Sequence, residues 1–207
     1  MLGALSLLTA VACPPAGSGL APSDTLSVLY QQGQPFAQFL LDAKSRKQTW
    51  TDNYAKGRVD DQTAARIRAL SGQWRLLVIA VDRCSDSANT IPFLARMVEA
   101  SGGLLEMRIV HPDQGTSVQE AHRTSDGRAA TPTVILLDEA GQEVGCWIER
   151  PTPLADWYNA QKPKLEESEL NERKGDWYQK DKGKTTVREL LEMLEQAGPG
   201  RPCGGAA

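Results

Sequence analysis

An apolar run, Trp74-Arg75-Leu76-Leu77-Val78-Ile79-Ala80-Val81, delivers Cys84-Ser85-Asp86-Ser87 to the start of a helical pattern that carries Pro92 in its third turn. The run reads as a buried strand, and its length suits a strand better than a helix. A cysteine placed where a buried strand becomes a helix is a candidate reactive thiol. The orphan N–H groups and the dipole of the helix N-terminus favour thiolate over thiol there. The competing reading is an ordinary core cysteine.

The neighbouring segments extend this unit. Ile91, Leu94, Ala95 and Val98 form the stripe that the Cys84 helix should bury, and Gly102-Gly103 ends it. Leu104 to Val110 reads as a second strand, which gives a strand–helix–strand unit with a right-handed connection and two parallel central strands. Proline can only begin a strand or sit at its edge, so Pro132 marks the start of a third strand from Thr133 to Asp138. A turn over Asp138 to Gly141 leads into a fourth, Glu143 to Ile148. Pro35 opens a helix with Phe36, Phe39, Leu40 and Ala43 on one face, and a second helix runs from Asp60 to about Ser71 around Ala64 and Ile67. Val118 to Arg123 is expected to be a short helix. The last helix shows a capping box, Thr186 to Glu189, and a stripe of Val187, Leu190, Leu191 and Leu194. The charged run Lys162 to Lys174 reads as a solvated helix face.

Together these features resemble the thioredoxin fold. In that fold the reactive cysteine leads a helix kinked by a proline eight residues later, and Pro92 follows Cys84 by eight. The chain is further similar to bacterial thioredoxin-family proteins whose active-site segment reads W-C-G-D-S and which end in an acidic-basic helix followed by W-Y-x-K-D-K-G. The counterparts are Arg83-Cys84-Ser85-Asp86-Ser87 and Trp177-Tyr178-Gln179-Lys180-Asp181-Lys182-Gly183. The resemblance covers roughly residues 50 to 195. It implies an α/β thioredoxin-like domain over 35–196, with a central mixed sheet flanked by helices and extra helices at both ends. It also implies a catalytic group of Cys84, Ser87, Asp86 and Arg83, beside a cis-proline loop at Thr131-Pro132. Thr131 would offer its backbone N–H and C=O to an extended client peptide, as an added strand would.

The residue types limit the chemistry. A dithiol oxidoreductase resolves its mixed disulfide with a second thiol three residues after the first, and position 87 is serine. An adduct on Cys84 would therefore be released by an outside thiol, and the expected partners are client protein thiols or disulfides, or a small thiol. Arg83 favours the thiolate, Asp86 opposes it by like-charge repulsion, and Ser85 or Ser87 could donate a hydrogen bond to the sulfur. The alternative is a non-catalytic module that holds a peptide beside Thr131-Pro132. No cofactor is expected. No metal is expected either, because Cys84, Cys146, His111 and His122 lack ligand-like spacing. The two histidines read as surface or capping residues, and Trp157, Tyr158, Trp177 and Tyr178 as helix-packing aromatics.

At 207 residues the chain suits one domain with trimmings. A net charge of -3 without a basic patch of interleaved aromatics argues against nucleic acid, and a monomer is expected. Met1 to Ala12 is apolar and ends in Ala10-Val11-Ala12, the pattern of a secretory cleavage site, yet it is too short to span a bilayer. Cys13 follows at once and is a lipidation candidate, so the expectation is an exported, periplasmic or cell-envelope protein, with membrane anchoring through Cys13. A misassigned start codon would leave it cytoplasmic. Residues 13–34 read as a flexible tether and 197–207, with Cys203, as a disordered tail. The four cysteines do not look like a disulfide framework, and Cys146 reads as a small buried hydrophobe.

Overall fold

The computed structural model describes residues 23–197. The expectations for Met1 to Ala12, Cys13, Cys203 and the tail from residue 198 lie outside the described residues.

Strand β1 (Trp74–Ile79) lies inside a four-stranded mixed sheet of order β2-β1-β3-β4. Strand β2 (Leu105–Val110) runs parallel to it, while β3 (Thr133–Leu137) and β4 (Glu143–Ile148) run antiparallel. Successive side chains of a strand point to opposite faces, and here both faces are covered. Leu76 and Val78 join Met107, Ile109, Val134 and Leu136 in one core, and Leu77 and Ile79 join Val110, Ile135 and Leu137 in another. This two-sided burial is why β1 reads as a continuous apolar run rather than an alternating one.

The first core is closed by α2 (Phe36–Asp42), α3 (Lys47–Lys56), α4 (Asp61–Arg68), α5 (Ser85–Ala100) and α9 (Lys184–Glu195). On the other face lie α1 (Ser23–Gln32) and α6 (Pro112–Ala121), and α7 (Thr152–Gln161) and α8 (Glu167–Asp181) follow the sheet. Helix α6 approaches β1 closely because residue 115 is glycine. A Cβ there would stand 2.6 Å from Ile79 Cγ1. The edge of β2 is capped by an antiparallel bridge from Gln34, whose N–H and C=O both bond Ile109 at 2.9 and 2.8 Å.

Several expectations change. The tether expected over 13–34 is helix α1 from Ser23 onward, because Leu26, Leu29 and Tyr30, at helical spacing, cover the second face of the sheet. Helix α3 has no counterpart in the sequence reading, since KQTWTDNYAK shows no apolar stripe, yet its Trp50 is fully buried. The short helix expected from Val118 begins six residues earlier at Pro112, with His111 as its N-cap. Helix α9 starts at Lys184 after Gly183, so Thr186 is buried inside it and forms no capping box. Glu189 instead accepts from Trp147 Nε1 at 2.8 Å and Thr152 N at 2.9 Å. The stripe of Val187, Leu190, Leu191 and Leu194 is buried as expected.

His122, read as a surface or capping residue, is the C-cap of α6 and is buried rather than at the surface. Its Nδ1 meets the Val118 carbonyl at 2.6 Å and its Nε2 meets Glu143 at 2.8 Å. Burial opposes the imidazolium, but the Glu143 and Val118 hydrogen bonds and the Glu143 charge outweigh it and raise its pKa above the usual 6.5. Cys146 is half-buried and disulfide-bonded, which overturns its reading as a buried hydrophobe and the reading of unpaired cysteines. Its partner lies outside the described residues. The ligand atoms of His122, Glu143 and Cys146 lie within 4.8 Å of one another. The disulfide and the two imidazole contacts already engage the cysteine and histidine donors.

Two outcomes follow. Leu26→Ala, which opens a cavity under α1, should cost about 2–5 kcal/mol in a urea titration, whereas a true tether would show no change. A group whose pKa is raised by folding stabilises the fold fully below its unfolded value and loses that contribution as the pH passes its folded value. The contribution of the His122–Glu143 pair should thus be complete below about pH 6.5 and fade above it, and His122→Gln should remove that dependence from the unfolding midpoint.

Candidate functional site

Cys84 is the N-cap of α5, in extended conformation, and its sulfur accepts the Ser87 N–H at 3.4 Å. Its S–H donates to the Thr131 carbonyl at 3.2 Å. The Thr131–Pro132 peptide bond is cis, so the sequence-derived thiol and proline loop are brought together. Cys84 is half-buried and is the free cysteine among the described residues. Ser87 is fully buried, and its hydroxyl has no hydrogen-bond partner among the described residues. Its backbone, not its side chain, serves the sulfur. The Ser85 hydroxyl, also expected to reach the sulfur, instead accepts from Lys174 Nζ at 3.1 Å.

The loop carrying Cys84 is anchored from α3 and from the turn before it. Trp50 Nε1 donates to the Asp82 carbonyl at 3.0 Å, and Asn53 Nδ2 donates to the Ala88 carbonyl at 2.8 Å. Asp82 in turn accepts the Lys44 and Ser45 amides, each at 2.8 Å. Burial opposes the Asp82 charge. The amides of Ser45, Lys44 and Arg83, with the Arg83 guanidinium, outweigh it and hold the carboxyl below its ordinary pKa. Arg46 Nε donates to the Arg83 carbonyl at 2.7 Å. Arg83 itself is exposed, with no ion-pair partner among the described residues.

Asp86 does not act as a bare repelling charge. It turns inward from the first turn of α5 and is only 5 % exposed, as are two cations to within a few per cent, Lys174 at 6 % and Arg150 at 8 %. Charges this deep must be paired. Arg150 Nη2 donates at 3.0 Å, Lys174 Nζ at 3.3 Å and the Tyr178 hydroxyl at 2.9 Å. Burial, then the Asp86 charge and hydrogen bond, push the Tyr178 phenol well above its usual value, so it stays a donor. The Arg150 guanidinium also lies 3.9 Å over the Tyr158 ring. Behind it, Glu149 adopts φ 65°, in the left-handed region, and its N–H bonds the Pro132 carbonyl at 2.7 Å. Its carboxylate meets Arg128 at 3.1 Å and Arg150 at 2.9 Å.

Sequence reasoning missed Arg150 and Lys174. Lys174 falls in the charged run read as solvated, and it is buried because Asp86 needs it. Tyr178 was visible within the W-Y-x-K-D-K-G counterpart, though not its partner.

Removing one partner of a buried ion pair strands the other charge. Lys174→Met keeps the stem and deletes the charge, and it is expected to cost about 3 kcal/mol in urea unfolding, the low end because Arg150 remains. Tyr178→Phe should cost about 1–2 kcal/mol. Wild-type stability in both variants would show that Asp86 does not depend on α8.

Comparison with known proteins agrees with this fold. A thioredoxin family model matches residues 33–165. A search of curated proteins found no match. Among solved structures, a Pseudomonas aeruginosa protein of unknown function is similar with a TM-score of 0.66 at 19 % identity, over 83 % of this chain and 98 % of that one. An HIV epitope-scaffold is similar with a TM-score of 0.66 at 18 % identity, over 83 % of this chain and 98 % of that one. At such identities the likeness is one of fold. The family model spans well over half of the sequence, and the chain belongs to the thioredoxin family.

Proposed function

We propose that this thioredoxin-like protein exchanges thiols and disulfides through Cys84 alone. The observation that carries the reading is the double contact of the Cys84 sulfur. It lies 3.4 Å from the Ser87 amide at the helix N-terminus and 3.2 Å from the Thr131 carbonyl beside the cis-proline. A helix N-terminus supports a thiolate, and the thiolate is the nucleophile. Inward pairing of Asp86 with Arg150, Lys174 and Tyr178 removes the repulsion that its sequence position suggests.

In the reaction the Cys84 thiolate attacks one sulfur of a client disulfide. A new S–S bond forms as the old one breaks, and the electron pair leaves on the client's other sulfur, which takes a proton from water. Ser87 offers no sulfur, so the mixed disulfide persists until an outside thiol, small or proteinaceous, attacks it and restores Cys84. Thr131 would hold the client segment through its backbone. Its carbonyl is engaged by the Cys84 S–H while the thiol is protonated. Loss of that proton frees the carbonyl for a client N–H.

Cys84 should form adducts with disulfide reagents near neutral pH, detectable by intact mass, and Cys84→Ser should lose them without loss of fold. Ser87→Cys places the missing sulfur and should create insulin-reducing activity. If Cys84 reacts no faster than a free cysteine and Cys84→Ser captures clients as well as the parent, the chain is a peptide-binding module and not an exchanger.

A further inference from the structure

We infer that the Cys84 site selects thiols and disulfides that carry carboxylates next to the sulfur. The inference rests on the exchange reading above and names the substrate class of that same site.

Charged groups on the elements around Cys84 fall into two sets. On the side of α8 and the proline loop, three anions, Asp86, Asp126 and Glu149, face three cations, Arg128, Arg150 and Lys174, in direct ion pairs. Within that cluster the charges balance. On the side of α2 and α3, Arg46, Arg83 and Lys44 form no ion pair among the described residues. Three acids lie on these elements: Asp82, with an oxygen engaged by the amides of Lys44 and Ser45, Asp42, bonded by Gln38, and Asp52, paired with Lys56. The groups left without an ion pair in the turn that leads to Cys84 are therefore cations, in a chain whose net charge is -3.

The position of Arg46 makes this charge local. Its Nε donates at 2.7 Å to the Arg83 carbonyl, the carbonyl joined directly to the Cys84 nitrogen. That bond fixes the guanidinium one peptide unit from the reactive residue and leaves its terminal NH₂ groups without a protein acceptor among the described residues. Arg46 is also one of the few non-glycine residues in the left-handed region, with φ 51°, at the turn that opens α3. Arg83 is exposed beside it. Two guanidinium forks, one on the residue before Cys84 and one bonded to that residue's carbonyl, suit carboxylate geometry better than any neutral partner.

Two sources supply that chemistry, a small thiol bearing carboxylates and a client cysteine flanked by Asp or Glu. In either case the exchange step is the one above: the Cys84 sulfur forms the new S–S bond, and the departing thiolate takes the electron pair and then a proton from water.

The test measures stopped-flow thiolation of Cys84 in the full chain by two chromogenic disulfides, the dianionic dithiobis(nitrobenzoate) and the neutral dithiodipyridine. Their rate ratio is normalised to that of a free cysteine amide, and peptide mapping assigns the adduct to Cys84. The normalised ratio should favour the dianion about tenfold at low salt and decline as salt screens the charges. It should fall to near one in Arg46→Gln/Arg83→Gln and be retained in Arg46→Lys/Arg83→Lys, which keeps the charge. The disulfide of mercaptosuccinate and a Glu-flanked cystine peptide then separate the sources. A preference for either over its uncharged counterpart supports the inference, and the faster of the two identifies the source. A parent ratio near one, or an unchanged ratio in the double glutamine variant, overturns it while leaving exchange at Cys84 standing. Failure of both reagents at Cys84 refutes the exchange reading and this inference with it.

Discussion

A carboxylate withdrawn from water has to be met by charge and hydrogen bonds, and Asp86 is met by three side chains from two places in the chain. Arg150 comes from the residues after β4, Lys174 and Tyr178 from α8. The pairing of Arg150 with Glu149 extends the cluster to the strand end that bonds the Pro132 carbonyl. The helix that presents the thiol, the loop that faces it and the added C-terminal helix thus share one buried anion. Buried pairs of this kind contribute less to net stability than to fixing one arrangement over others. Here the arrangement fixed is the approach of Cys84 to Thr131.

The opposite flank of the same loop is held without buried charge. Trp50 and Asn53 bond backbone carbonyls at 82 and 88, and Asp82 ties the turn before α3 to the residue pair preceding Cys84. One flank is a closed, neutral clamp and the other an open, cationic rim. A partner reaching the sulfur therefore meets different chemistry on its two sides.

Much of the sheet was readable because strand identity here is a matter of composition. β1 and β3 are buried on both faces over most of their length, so apart from Arg75 and Thr133 their residues are apolar, and β4 was located to its observed ends. The thiol and its proline loop were readable because a cysteine at a strand-to-helix junction, a proline eight residues on and a second proline opening a strand occur at joint spacing. What failed was whatever depends on a partner distant in sequence. α3 buries little beyond Trp50 and Asn53, so its ten residues carry no periodic signal. Lys174 looks like any lysine in a charged helix until the carboxylate it serves is known, and the sequence around Cys146 gives no sign of a disulfide. The misread of α1 was different in kind. Leu26, Leu29 and Tyr30 are spaced as a helix face, but the neighbouring Pro, Gly, Ala and Ser residues masked them.

The contacts from α8 to Asp86 span 88 and 92 positions of sequence. Chains emerge from the ribosome at roughly 5–20 residues per second. The strand–helix–strand unit around Cys84 is therefore synthesised several seconds before Lys174 and Tyr178 exist. During that interval Asp86 has no α8 partners, and its charge is met by water or, once residue 150 has been made, by Arg150. The pairing of the Asp86 carboxylate is complete only once α8 has been made.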